Sequence, residues 1–366
     1  MSSLAKTIIT TPIILGLFLL FTYETLAQRS SDPISNFNEF CEVFHQNYAS
    51  FQEKNINWSG VCAEYSKRVS KQTTDEELFE IFSAMLKPLN DAHVSLKSKE
   101  LDNAFSASRE STIMKELKDI QGKNRKPTFN QMIQSTLESY KFGPIKTLGP
   151  KFRDEQLFAY SHNETTGYLR FYRSFSTLAI MKGSSLQKQL SMIFENFYDK
   201  EAVIIDVRFN IGGDDKFSQT VMGMLVDQPT IGFYKQTRSN GEFGKMIPKM
   251  IEPGTSKAYK GKIILLTNDR TVSAADVLAL MCSTHPRAII IGERSNGSYS
   301  DLYHKKLPNG WKVTLSNQRY LSSDQKNYEG VGTPVNILTK NTREGIDQKR
   351  DDVLISAMEH LSTKTE

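Results

Sequence analysis

"GKIILLTNDRTVSAADVLALMCSTHPRAIIIGE", residues 261–293, reads as strand, helix, strand. "KIILLTN" is a short unbroken apolar run, the mark of a strand covered on both faces. The polar "NDRT" stops it. The Ala- and Leu-rich segment from Ser273 onward reads as a helix, and "RAIIIGE" as a second buried strand. The pattern repeats outward. "EAVIIDVR" is a buried strand, followed by the turn "FNIGGDD" and the helix "KFSQTVMGMLVD". "LFAYSHNETTGYLRFYRSF" offers two strands around a turn, "SLQKQLSMIFENFYDK" is an amphipathic helix, and "TIGFYKQTR" and "WKVTLSNQRYLS" are one strand each. "REGIDQKRDDVLISAMEHL" closes the chain as one helix with Ile346, Val353, Leu354, Met358 and Leu361 on one face. Strands alternating with helices predict an α/β fold with a mainly parallel, helix-covered sheet.

The chain ahead of this region is organised differently. Residues 33–100 carry three one-faced helical patterns. The first has Phe37, Phe40, Cys41, Phe44, Tyr48 and Phe51, and the second has Trp58, Val61, Cys62, Tyr65 and Val69. The third opens with Thr74 and Glu77 in capping-box spacing. A short strand start follows at "NDAHVSLKS". Residues 101–155 are polar and Lys-rich, and read as a variable connector with one or two helices. The expected division is thus residues 28–100 as an N-terminal helical subdomain, 101–155 as connector and 156–366 as the α/β core.

Residues 1–27 carry an early Lys6, an apolar run from Ile13 to Phe21, and Thr25-Leu26-Ala27. That run is too short to span a bilayer, which takes about 20 residues. The segment reads as a cleaved secretory signal, which places the chain in the periplasm or outside the cell with no stable membrane insertion. The formal charge of +5 is spread along the chain. The densest basic patch, "KELKDIQGKNRK", mixes in acids and holds no aromatic, so it reads as a solvated face and not a nucleic-acid footprint. No pair among Cys41, Cys62 and Cys282 has CxxC spacing. Cys41 and Cys62 stand on consecutive helices, either as a disulfide, which export would permit, or as two buried thiols. There is no HExxH, and "NIGGDD" lacks the GK[ST] ending of a phosphate loop, so no metal or other cofactor is expected.

In such folds ligands gather at the carboxyl ends of strands. Two loops qualify: "FNIGGDD", and "NDRTV" leading into Ser273. Ser273 has a plain reading as a helix N-cap, with Asp276 three residues on. Its other reading is a nucleophile beside the N–H of Ala274, which could bind a developing oxyanion with a glycine N–H of Gly212-Gly213. Those glycines in turn could be a tight turn and nothing more. A serine nucleophile needs a base. Of the six histidines, His45 and His360 read as surface, His162 and His285 lie in turns, and His304 is beside Lys305 and Lys306. His93 stands where a helix stops and a strand begins, which makes it the best placed.

Taken together, "AVIIDVRFNIGGDD", "LTNDRTVSAADVLALM", "RAIIIGERSNGSYSD", "LNDAHVSL" and "YEGVGTPVNI" resemble the C-terminal processing (tail-specific) serine peptidases. That family includes the tricorn protease core and interphotoreceptor retinoid-binding protein. The resemblance implies a crotonase-like spiral core and a peptide or protein substrate. It implies Ser273 as nucleophile, His93 as base, Glu329 as its supporting acid, and Ala274 with Gly212 or Gly213 as oxyanion donors. Many bacterial members use a lysine 25 residues after the serine, but that position here is Ser298. Arg294 nearby stays protonated and cannot replace it. The serine that precedes the histidine in the tricorn-like branch is Ala92 here. Glu329 would then reach His93 directly, through water, or with Asp91 sharing the role. The connector is too short for a PDZ domain, so a preference for chain tails is not implied. The resulting expectation is an exported serine endopeptidase. The alternatives are an inactive lipid- or peptide-binding protein on the same fold, and a crotonase-like acyl-transfer enzyme.

Overall fold

The computed structural model describes residues 32–118, 122–152, 155–175, 183–255 and 257–363. The expected signal segment lies outside the described residues. Among the described residues no helix is long and apolar enough to cross a membrane.

The chain begins with α1 (Pro33–Asn47), which starts where the Asp32 carboxylate accepts the Ser35 N–H at 3.0 Å and proline holds the first turn. α2 (Trp58–Tyr65) is capped by Asn57, and α3 (Asp75–Leu86) by the complete Thr74/Glu77 box. A disulfide joins Cys41 of α1 to Cys62 of α2. The apolar faces of these helices meet in an aromatic core, where the Phe40 and Phe82 rings stack 3.9 Å apart. Burying each such ring is worth roughly 1.5–3 kcal/mol. A short turn ends at Asn90, whose φ of 45° breaks the helix and releases the chain into β1 (Ser95–Ser98) and β2 (Asn103–Ser106).

Next come α4 (Thr112–Glu116) and α5 (Gly122–Ser139), β3 (Lys146–Phe152), β4 (Glu155–His162) and β5 (Thr166–Phe171). α6 (Gly183–Phe194), β6 (Ala202–Asp206) and α7 (Asp215–Gly223) follow. Then come β7 (Thr230–Ser239), β8 (Glu242–Phe243), β9 (Ile247–Ile251), β10 (Lys262–Thr267), α8 (Ala274–Cys282) and β11 (Ala288–Gly292). The chain ends through β12 (Leu302–Lys306), β13 (Lys312–Ser316), β14 (Gln318–Ser322), β15 (Ile337–Leu338), α9 (Arg343–Asp347) and α10 (Asp352–Ser362).

A seven-stranded sheet runs in the order β15-β11-β10-β6-β5-β4-β3. Its first five strands are parallel, and β4 and β3 are added antiparallel. The fold is mixed α/β, as the strand–helix alternation predicts. β3 falls inside the stretch expected as connector. Alternate residues on each central strand serve opposite faces. Val203, Ile205, Ile263 and Leu265 pack with α6, α7 and α8, while Ile204, Ile264, Leu266 and Ile291 pack with α5 and α10.

Two expected elements split. "WKVTLSNQRYLS" is two strands, because the chain changes sheets at Asn317. β13 pairs with β1, so Val313 and Leu315 face the N-terminal aromatic core, while β14 pairs with β7. The last helix is broken at Lys349, where φ is 57°. Beyond the break, Asp351 caps α10 and is drawn into the interior by Arg208. The N-terminal aromatic core is therefore completed by β12, β13 and the buried Trp311, and the two parts of the molecule share strands along their seam.

Candidate active site

The carboxyl ends of β6 and β10 lie side by side and their two loops are stitched together. Val272 N–H donates to Asn210 C=O at 3.0 Å, and Phe209 N–H to the Asn268 side chain at 3.1 Å. Beneath them Arg208, 1% exposed, is held bidentately by Asp206 and by Asp351, with contacts of 2.7–2.9 Å. The Tyr168 hydroxyl donates to Asp206 at 2.8 Å. One guanidinium joins two carboxylates in a closed, hydrogen-bonded set, with the charge of Arg170 also acting on Asp206, and such pairing is the condition under which burial is tolerated. The set fixes where β6 ends and the glycine loop begins.

Ser273 has φ 62° and ψ −127°, a conformation that costs a non-glycine residue about 1–3 kcal/mol. Two backbone bonds hold it there. Its N–H donates to Ser298 C=O at 2.9 Å, and its C=O accepts the Val277 N–H at 2.9 Å as the first bond of α8. Its side chain makes no capping bond. The position is the N-cap, but the hydroxyl does not cap, and the residue lacks the extended backbone that a capping serine usually has. Gly212 is required by the close approach. A Cβ there would stand 2.6 Å from Ser273 Cβ and 2.9 Å from the Ala274 nitrogen, at φ 88°.

The candidate oxyanion donors differ in their partners. Gly212 N–H is occupied, donating to the Asn210 side chain at 2.8 Å. Gly213 forms a parallel bridge with Ser174 in which Gly212 C=O and Asp214 N–H make the bonds. That pattern turns the N–H of Gly213 to the other side. The Ala274 N–H, at the first position of α8, has no acceptor within the helix. Gly213 and Ala274 thus present donors, and Gly212 supplies clearance.

His93 lines the same cleft as Ser273, Gly212 and Gly213, a cavity of about 420 Å³, and is the histidine there among the described residues. Its main chain is fixed by Asp91, which accepts the His93 N–H at 2.8 Å, and by Thr314, whose hydroxyl donates to His93 C=O at 2.7 Å. The ring is buried, with Nδ1 lacking a partner. Burial lowers its pKa below 6.5 and outweighs the opposing charges of Asp91 and Asp301. Glu329 is also buried. Its Oε2 accepts the Tyr299 N–H at 3.2 Å, and its Oε1 has no partner. Burial first, and the nearby charge of Asp91 second, push its carboxyl well above the usual range. No hydrogen bond joins Glu329 to His93. Asp91 acts electrostatically on both and accepts the Tyr48 hydroxyl at 2.9 Å.

Ser298, where a lysine would stand in the dyad enzymes, is a junction. Its hydroxyl accepts the N–H of Ala92, next to His93, at 3.2 Å, and donates to Asn296 at 2.8 Å. Its C=O holds Ser273. Its N–H, with that of Gly297, donates to the Asp276 carboxylate at 3.1–3.2 Å. Asp276 therefore does not complete a capping box. It is fully buried, and burial raises its pKa to about 7. The sequence held a signal for this, namely a lone acid on the otherwise apolar helix "AADVLALMC". His45 and His304 are exposed, and His162, His285 and His360 are half-buried away from the cleft.

A strained serine between two open N–H groups, in one cleft with a histidine, has the layout of a serine hydrolase site. The sequence matches peptidase family S41 over residues 165–339 and the tricorn protease C1 domain over residues 32–87. Residues 165–339 carry a peptidase family S41 domain, and the chain is a serine-type peptidase. In structure it is similar to a candidate peptidase from Parabacteroides merdae, with TM-score 0.74 and 22% identity over 92% of this chain and 98% of that one. It is also similar to mature CPAF, with TM-score 0.61 and 13% identity over 87% and 94%. The photosystem II D1 C-terminal processing protease gives TM-score 0.50 and 12% identity over 85% and 94%. At these identities the likeness concerns the fold.

Proposed function

We propose that the chain is an exported serine endopeptidase in which Ser273 attacks the scissile carbonyl and His93 takes its proton. The tetrahedral oxyanion is held by the N–H groups of Gly213 and Ala274. His93 returns the proton to the leaving amine, an acyl-enzyme forms on Ser273, and water activated by the same histidine releases it. The observation that carries this reading is Ser273 itself. Its backbone is held at φ 62° at a cost in stability, and its side chain lines the cleft without capping the helix. The depressed pKa of His93 suits a base, since its neutral form prevails from below 6.5 upward.

Glu329 is the supporting acid in this proposal. Its Oε1 and the His93 Nδ1 are both buried without a partner, so each has an open hydrogen-bonding position for the other to fill, directly or through a water. Burial lifts its carboxyl, so Glu329 keeps its proton to a higher pH than an exposed glutamate. The disulfide between Cys41 and Cys62 supports export to an oxidising compartment. The test is labelling by an active-site fluorophosphonate. We expect one adduct, on Ser273, and none in Ser273→Ala with folding intact. Peptide hydrolysis persisting in that variant would overturn the assignment, while an unlabelled, inert wild type would favour a binding protein.

A further inference from the structure

We propose that the apolar pocket beside the cleft receives one large side chain of the peptide substrate, aromatic or long aliphatic. This rests on the peptidase reading above and names its substrate class. The pocket has a volume of about 250 Å³, room for one such side chain and not for a second residue. Met114 of α4, Leu117 just after it, Phe129 of α5, Leu157 of β4 and the ring of Phe209 form its apolar wall.

Its placement ties it to the chemistry. It opens at the carboxyl ends of β5 and β6, where ligands of such sheets sit. Phe209 lies three residues before Gly212, and Arg173 lines both this pocket and the Ser273 cleft. A substrate whose carbonyl oxygen rests on Gly213 N–H therefore lays a neighbouring side chain over the mouth. Phe209 is also held at a positive φ, 64°, with its N–H on Asn268 and its ring edge-on to Phe129 at 4.6 Å. That conformation is costly for a bulky residue, and it aims the ring at the pocket. The charged groups that line it, Glu155, Arg170 and Arg173, are already engaged: Glu155 accepts the Asn130 amide at 3.2 Å and Arg173 donates to Tyr172 C=O at 3.0 Å. The Arg170 guanidinium lies 4.1 Å from the Tyr172 ring centre and 4.9 Å from that of Phe129, and donates to Asn130 at 2.9 Å. An incoming acid would have to displace these contacts, whereas an apolar chain would not.

The experiment is equilibrium binding of peptides to Ser273→Ala, read by fluorescence anisotropy, with Phe, Leu, Ala or Asp placed at one position at a time. We expect Phe and Leu at one position to bind at least about tenfold tighter than Ala or Asp, the scale of burying such a side chain. Met114→Trp fills the pocket and should erase the preference. Phe209→Ala enlarges it and should shift the preference toward Trp, so failure of one variant to fold leaves the other. Equal affinity for all four residues, a preference for Asp, or no binding at all would overturn the proposal. Fluorophosphonate labelling of the wild type separates the two claims. Labelling without side-chain preference removes the pocket and leaves the peptidase. Preference without labelling removes hydrolysis and leaves the pocket.

Discussion

The N-terminal helical unit and the α/β core use different physics, and the cleft lies where they meet. The first is held by aromatic packing, with Phe40, Phe44, Trp58, Phe82 and Trp311 in one buried cluster and a disulfide across two helices. The second carries the costly features: a serine and a phenylalanine at positive φ, the buried Arg208 between two aspartates, and the buried acid Asp276. The core thus spends stability at the ends of its strands, and the helical unit acts as a bracket that presents His93. On this account chemistry and stability should separate by region under mutation.

The largest effect is expected at Ser273. Ser273→Ala should lower kcat/KM by about 10⁴-fold or more while leaving the denaturant midpoint unchanged. Ser273→Gly, equally inactive, should raise that midpoint, because glycine takes φ 62° without strain. A lower midpoint in the glycine variant would show that the serine is not strained. Phe40→Ala should do the reverse. It should cost about 3–5 kcal/mol by urea unfolding and leave kcat/KM near wild type wherever the protein remains folded. An activity loss without a stability loss there would break the division.

Smaller and more local is Ser298→Ala. Losing the bond to Ala92 N–H at 3.2 Å leaves a donor unmet at a cost of about 1–3 kcal/mol. Because Ala92 precedes the base, kcat should fall about tenfold or more, KM should hold, and Ser298→Thr should restore most of the loss. A pH effect is expected as well. Asp276 has a folded pKa of about 7 against an ordinary 3.8. Between those values the folded state holds a proton that the unfolded state has released, so stability falls as pH rises, by up to about 1.4 kcal/mol per unit. Asp276→Asn should flatten that fall in urea midpoints taken from pH 4 to pH 7, and an unchanged slope would assign it to another group.

The sequence made the strand–helix alternation legible because each central strand is covered on both faces and so is apolar throughout, as in Ile263–Leu266. It made the helices legible through their stripes and caps, Thr74 with Glu77 above all. Motif order pointed to Ser273, His93, Gly212 and Gly213, which line one cleft, and to Glu329, which makes no hydrogen bond to His93. Three things were hidden because they depend on distant partners. Asn317 looks like mid-strand until the two sheets claim its two sides. Asp351 breaks a helix only because Arg208 is waiting for it. The role of Ser298 depends on a backbone N–H 206 positions away. The choice of Gly213 over Gly212 as donor likewise turns on Asn210 occupying the Gly212 N–H.

The central claim is that the bracket's histidine activates the core's serine. Its most direct test is the rate of fluorophosphonate modification of Ser273 as a function of pH, in wild type and His93→Ala. In the wild type the rate should climb along a limb centred below 6.5, where His93 loses its proton, and then hold level. In His93→Ala the rate should be low and without that limb. Equal modification of Ser273 with and without His93 would contradict it.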